Sequence, residues 1–233
     1  MAIYVTSDAH GHVRALDEAL SKISLTSDDT LYVLGDMIDR GPDPVGVINL
    51  VRSLPNARVL KGNHEQIMLD AIIGQDPLDA ETWDINGGWT TRQQLNEMEF
   101  EAYEELVRWA AALPLYAVAE TAERPYLLVH AGIQAEAARA FLLEHGVDCC
   151  DGRGAVDADS ELLQQMLAVQ SSDDLLWIRH GYWDAPTGLL SAEGKGPVVV
   201  SGHTPTVSLG RYCEVGGLAG LDEESGRGQM VRL

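Results

Sequence analysis

Short runs of consecutive apolar residues set the rhythm of this chain. Ile3-Tyr4-Val5, Leu31-Tyr32-Val33-Leu34, Ala57-Arg58-Val59-Leu60, Leu115-Tyr116-Ala117-Val118, Tyr126-Leu127-Leu128-Val129 and Pro197-Val198-Val199-Val200 have the length and the β-branched or aromatic content of buried strands. After the first, Val13, Leu16, Ala19-Leu20 and Ile23 switch to helical spacing. After the second, Val45, Ile48, Val51 and Leu54 do the same, with Pro44 suited to a helix start and Pro55 to its end. After the third, a helix runs through Ile67, Met68, Ala71 and Ile72. This alternation predicts an α/β layout with at least a partly parallel sheet.

Residues from about 74 to 113 break the rhythm and read as a helical insertion. Gly74-Gln75-Asp76-Pro77 predicts a turn, and Trp83-Asp84-Ile85-Asn86-Gly87-Gly88-Trp89 a loop. Thr90 to Leu113 predicts a largely continuous helix with Leu95, Met98, Ala102, Leu106 and Trp109 on its apolar face. That stripe of Met and Trp reads as core. Further helices are expected at Gln134–His145 and Ser160–Val169, separated by a Gly/Asp-rich loop over Cys149–Asp159. The tail pairs short apolar segments with glycines, which suits edge strands. With no internal repeat or linker, residues 1–233 read as one domain.

The strand ends carry the chemistry. Asp8 and His10, two apart on extended backbone, point to the same side. Asp36 and Asp39 follow the second strand, with Arg40 next to them; Asn63 and His64 follow the third; His130 and His203 close two later ones. Four of these five tips adjoin a glycine. Functional groups of α/β sheets gather at one set of strand ends, so the five can share a site. Carboxylate, imidazole and amide donors without a thiolate suit Mn²⁺, Fe or Zn²⁺, and the set is large enough for two ions. A guanidinium beside them can fork the oxygens of a phosphate.

A formal charge of −20 disfavours nucleic acid as a partner, because so acidic a surface repels its backbone. No apolar stretch approaches the roughly 18 residues that a membrane span needs, and the N-terminus has no basic region or long apolar segment. Cys149, Cys150 and Cys213 are too few and wrongly spaced for a disulfide framework or a thiolate zinc site, so a reducing cytoplasm is expected.

Asp8-Ala9-His10-Gly11, Gly35-Asp36-Met37-Ile38-Asp39-Arg40-Gly41, Gly62-Asn63-His64-Glu65, His130-Ala131-Gly132 and Gly202-His203-Thr204 together resemble the ordered signature of the phosphoprotein phosphatase family, within the calcineurin-like metallophosphoesterases. Length and the Trp177-Ile178-Arg179 segment resemble the small bacterial and phage serine/threonine protein phosphatases. The resemblance implies a mixed β-sandwich flanked by helices, of the α/β (α+β) class. It implies two divalent ions, manganese foremost. Asp8 and His10 would bind the first, Asn63, His130 and His203 the second, and Asp36 both. A bridging water or hydroxide would attack phosphorus, His64 would protonate the leaving oxygen with Asp39 behind it, and Arg40 and Arg179 would hold the phosphoryl oxygens.

The implied substrate is a phosphoserine or phosphothreonine protein, or a smaller phosphoester. The nearest alternative is a dinucleoside polyphosphate hydrolase, which is similar in its metal core but lacks an acid at the position of Asp39 and carries Asp after Asn-His. A phosphodiesterase or nuclease, and a non-catalytic binding module, rank below both. Glu214-Val215-Gly216 departs from the Asp-Thr-Gly common in the family. His12, His145, His180, the cysteines and Glu65 stay outside the expected site; for Glu65, a place in the first turn of a helix is reason enough.

Overall fold

Strands that read as unbroken apolar runs should be buried on both faces; residues 31–34 and 198–200 are, whereas Arg58 in the third run is exposed and residues 115–118 are half-buried. The computed structural model describes residues 1–23, 25–74, 76–147, 158–179, 187, 189, 196–205, 213–215, 218–220 and 230–233. Among these, β1 (Ile3–Thr6), β2 (Thr30–Val33) and β3 (Ala57–Val59) are parallel neighbours joined by α1 (Val13–Lys22) and α2 (Pro44–Ser53), and α3 (Asn63–Ile73) follows β3. A short strand, β9 (Val231–Arg232), pairs antiparallel with β1 and completes the order β3-β2-β1-β9. The second sheet has the order β4-β5-β6-β8-β7, from β4 (Tyr116–Glu120), β5 (Pro125–Val129), β6 (Val198–Ser201), β7 (Cys213–Val215) and β8 (Leu218–Gly220). Within it β5, β6 and β8 run parallel, while β4 and β7 run antiparallel to their neighbours. The tail thus supplies edge strands in β7 and β9, but β8 lies inside its sheet.

The period-2 alternation of side chains sorts the core into layers. Ile3, Val5, Tyr32 and Leu34 pack against Leu128, Val198 and Val200, so the two sheets meet face to face. Leu31 and Val33 point the other way, onto Leu16 of α1 and Val47, Ile48 and Val51 of α2. On the outer face of the second sheet, Leu127, Val129 and Val199 meet α7 (Ala135–Glu144), α8 (Ser160–Ala168) and α9 (Ser172–Trp177). The expected sandwich flanked by helices is the observed one.

The insertion differs from its prediction in two places. Of the segment expected as a loop, residues 86–88 form a turn, but residues 83–85 end a helix, α4 (Pro77–Ile85), started by Pro77 at its first position and by the Asp76 side chain accepting from Leu78 N. The expected single helix is two, α5 (Trp89–Asn96) and α6 (Phe100–Ala111), because the chain is extended at Glu99. That break resets the helical phase. Ala102 is exposed, and Tyr103, Leu106, Val107 and Ala110 carry the face that packs inward. The loop at 149–157, His180 and the 216 position fall outside the described residues.

The parallel strands deliver their loops to one edge, where backbones approach closely. Gly35, at φ +92°, faces the Gly62 backbone, and a Cβ there would collide with Gly62 N and Cα. We expect Gly35→Ala to destabilise the fold by roughly 2–4 kcal/mol, combining left-handed strain with overpacking. Chemical denaturation with an unchanged slope and a lowered midpoint would show it; wild-type stability would refute the close approach.

Candidate metal centre

Three of the five strand-end loops, those after β1, β2 and β6, hold their functional residues by an unusual backbone. Asp8, His10, Asp36, Asp39, Arg40 and His203 all have φ between 41° and 70°, the left-handed region that non-glycine residues seldom enter. They are the described non-glycine residues with positive φ. Cross-loop hydrogen bonds hold them there: Asp8 N donates to Gly35 O at 3.1 Å, His10 N to Asp36 O at 2.9 Å, and His203 N to Asp8 Oδ2 at 3.0 Å. The two sheets are tied at the same edge, where His130 Nδ1 lies 2.7 Å from Leu34 O, and within the second sheet Gly202 N donates to His130 O at 2.9 Å.

The structure brings the six expected metal donors together, all of them buried. Asp36 is central. Its Oδ2 lies 3.6 Å from His10 Nε2, and its Oδ1 lies 3.4 Å from His130 Nε2. One donor cluster is His10, Asp36 and His64; the other is Asp36, His130 and His203, and the shared carboxylate joins them. Asp8 Oδ1 stands 4.0 Å from His10 Nε2. Asn63 Oδ1 lies 2.8 Å from His130 Nε2 and 2.9 Å from His203 Nδ1. His64, expected as an acid rather than a ligand, has Nε2 4.0 Å from Asp36 Oδ2, so it borders the first cluster.

These donors fit a cation. His10 and His130 each donate Nδ1–H to a backbone carbonyl, of Ile38 and Leu34, which leaves Nε2 with its lone pair turned inward. At His130 that lone pair faces Asn63 Oδ1 and Asp36 Oδ1, an arrangement of acceptors around a common point. The electrostatics agree. Burial works to raise the Asp36 pKa, but His130, His64 and His10 outweigh it and hold the carboxyl well below its usual range. Burial, with Asp36 nearby, pushes Asp8 up. Burial lowers His10 to about 3 and, helped by His130 and Arg179, His203 to about 2. His130 goes the other way: despite burial, Asp36 lifts it to about 9, so the field that suits a metal also draws a proton.

Beside the clusters lies a second set of residues. His64 Nδ1 is 2.7 Å from Asp39 Oδ2, and although burial opposes the charged ring, Asp36 and the Asp39 hydrogen bond raise its pKa. The Arg40 guanidinium spans the gap between rings, with Nη1 3.0 Å from His10 Nε2 and Nη2 2.8 Å from His64 Nε2. Arg179 reaches the other side, Nη2 being 3.4 Å from His203 Nδ1. Both arginines predicted from sequence therefore face the donor clusters.

Residues 1–224, which include all of these loops, match the family model for calcineurin-like phosphoesterases. The chain belongs to that family. This phosphoesterase is 31% identical over 136 residues to the symmetrical bis(5'-nucleosyl)-tetraphosphatase of Erwinia tasmaniensis, covering 57% of this chain and 45% of that one. It thus spans less than half the length of the curated relatives it matches. Among solved structures, it superimposes on a candidate diadenosine tetraphosphatase with a TM-score of 0.58 at 18% identity, covering 99% of this chain and 87% of the other. It also superimposes on a Saccharomyces cerevisiae protein serine/threonine phosphatase at 0.56 and 17%, covering 95% and 67%. At such identities the two structures show a common fold.

Sequence reasoning missed three contributors. Glu65 is fully buried, and its carboxylate accepts from Gly62 N at 2.8 Å and from Asp36 N and Met37 N at 2.9 Å. It ties two loops together, which the helix dipole alone does not explain; burial and Asp36 lift its pKa to about 7 against those three donors. The Trp83 indole and Thr91 hydroxyl both meet Asp39. Of the histidines left out, His145 stacks on Phe141 and meets its carbonyl at a helix end, and His12 precedes α1.

Proposed function

We propose that this phosphoesterase hydrolyses a phosphoanhydride in a small nucleotide substrate of the dinucleoside polyphosphate class, using two divalent ions, manganese foremost. The observation that carries this reading is the 31–33% identity to symmetrical bis(5'-nucleosyl)-tetraphosphatases. In it Asp8, His10, Asp36, Asn63, His130 and His203 hold the ions, whose chemistry is to polarise the phosphoryl oxygens and acidify water. Asp36 serves both positions. Arg40 and Arg179 grip phosphoryl oxygens, and they put positive charge into a surface whose net charge repels a polyphosphate. His64 gives its Nε2 proton to the departing oxygen while Asp39 steadies the Nδ1 side. A cytoplasmic setting, where nucleotides and unpaired cysteines coexist, is part of this reading. No described helix is long and apolar enough to cross a membrane.

One observation favours a second reading, hydrolysis of phosphomonoesters, including those of phosphoproteins. The Asp39–His64 pair is a well-built acid, and an ester alkoxide needs protonation far more than a nucleotide leaving group does. The test is a direct comparison with added Mn²⁺: diadenosine tetraphosphate, phosphoserine peptides and an aryl phosphate, with products identified. We expect the tetraphosphate to be the best substrate and to yield ADP. Fast phosphopeptide turnover with an inert tetraphosphate would reverse the order of the two readings. Asp39→Asn sharpens the comparison, since it should leave anhydride cleavage within about tenfold and cost ester cleavage ~10²-fold or more.

A further inference from the structure

Asp39 sits at the end of a relay that the insertion supplies. Its Oδ2 faces His64, leaving Oδ1 to be satisfied elsewhere. Thr91 Oγ1 donates to Oδ1 at 2.5 Å and accepts from Asp39 N at 2.9 Å, so the one hydroxyl proton has a single direction to take. Trp83 Nε1–H, a donor only, lies 3.0 Å from Oδ1 and 3.1 Å from Oδ2. All three residues are buried, Asp39 and Thr91 at 0% exposure and Trp83 at 3%. The indole is seated against Gly88, where any Cβ would strike its ring, and Arg40 N donates to Gly87 O at 3.0 Å. A carboxylate with one rotatable bond to its plane would otherwise be free to turn away from the imidazole.

We infer that Trp83 and Thr91 are positioning residues for proton donation, fixing the Asp39 carboxylate so that Oδ2 stays on His64. The inference rests on the reading of His64 as the group that protonates the leaving oxygen. It gives the insertion a role in turnover, delivered through α4 and α5, and makes efficiency on poor leaving groups a property of that segment.

The test uses the full chain with Mn²⁺ and two substrates, phenyl phosphate and 2,4-dinitrophenyl phosphate, whose leaving groups differ in their need for a proton. Trp83→Phe and Thr91→Val should each lower kcat on phenyl phosphate by ~10-fold and leave the dinitrophenyl ester within ~2-fold. KM and bound metal should not change, and Thr91→Ser should restore turnover. Thr91→Val keeps side-chain volume and decides alone if Trp83→Phe does not fold. Equal losses on both esters, or no loss on either, would overturn the inference. His64→Asn serves as the reference. If it shows the leaving-group dependence and the Trp83 and Thr91 variants do not, the positioning role alone fails. If it shows none, the assignment beneath it fails as well.

Discussion

Asp36→Asn should abolish two-metal binding and reduce turnover by more than ~10²-fold, beyond the 10–100-fold typical of changes one layer further from a metal. The residue is shared by both donor clusters, so removing its charge weakens both at once. An amide still offers an oxygen to His64 N, which now donates to Asp36 Oδ1 at 2.9 Å, so the loop should hold its course. Metal content per chain after desalting, measured by mass spectrometry beside turnover, checks this. Two tightly held ions per chain in the variant would refute the bridging assignment.

His64→Asn should behave differently. Metal content should stay at the wild-type level, while kcat on phenyl phosphate falls at least ~10²-fold, the lower end for loss of a general acid. The dinitrophenyl ester should lose much less, because its leaving group departs unprotonated. Of the ring's two partners, Asp39 meets Nδ1, and Arg40, which faces Nε2 as a donor, holds its protons too tightly to replace the imidazole as acid. Near-normal turnover of phenyl phosphate would sink the assignment. The two variants together separate metal loss from loss of the acid, which a single activity measurement cannot do.

Much of this was legible in the sequence, for a definable reason. Asp8, His10, Asp36, Asn63, His130 and His203 each follow an apolar run by a few residues, and a parallel sheet turns that local pattern into a shared edge. Helices α1 and α2 announced themselves through spacing and through Pro44. What stayed hidden depends on distance along the chain. Trp83 and Thr91 reach Asp39 across 44 and 52 residues, and nothing local in a segment read as a loop and a helix start marks an indole or hydroxyl as donating to a buried carboxylate. Glu65 was passed over because a local explanation sufficed, although its carboxylate serves a loop 28 and 29 residues away. The break at Glu99 was invisible because acidic residues at that point suit a helix surface as well as a boundary. The preference for phosphoproteins came from Asp39 and a family likeness; the curated relatives carry the name of the alternative.

The left-handed backbone of the six strand-end residues has a consequence for how this protein would respond to selection. Glycine would sit more comfortably than Asp, His or Arg in each of those conformations, by a margin on the order of 1 kcal/mol per residue. A library screened for thermal stability alone is therefore drawn toward these positions, and each gain there removes a carboxylate, imidazole or guanidinium from the cluster. Robustness and chemistry compete for the same few residues, so stabilising this enzyme calls for changes on its helices and outer faces, with the loop edge held fixed.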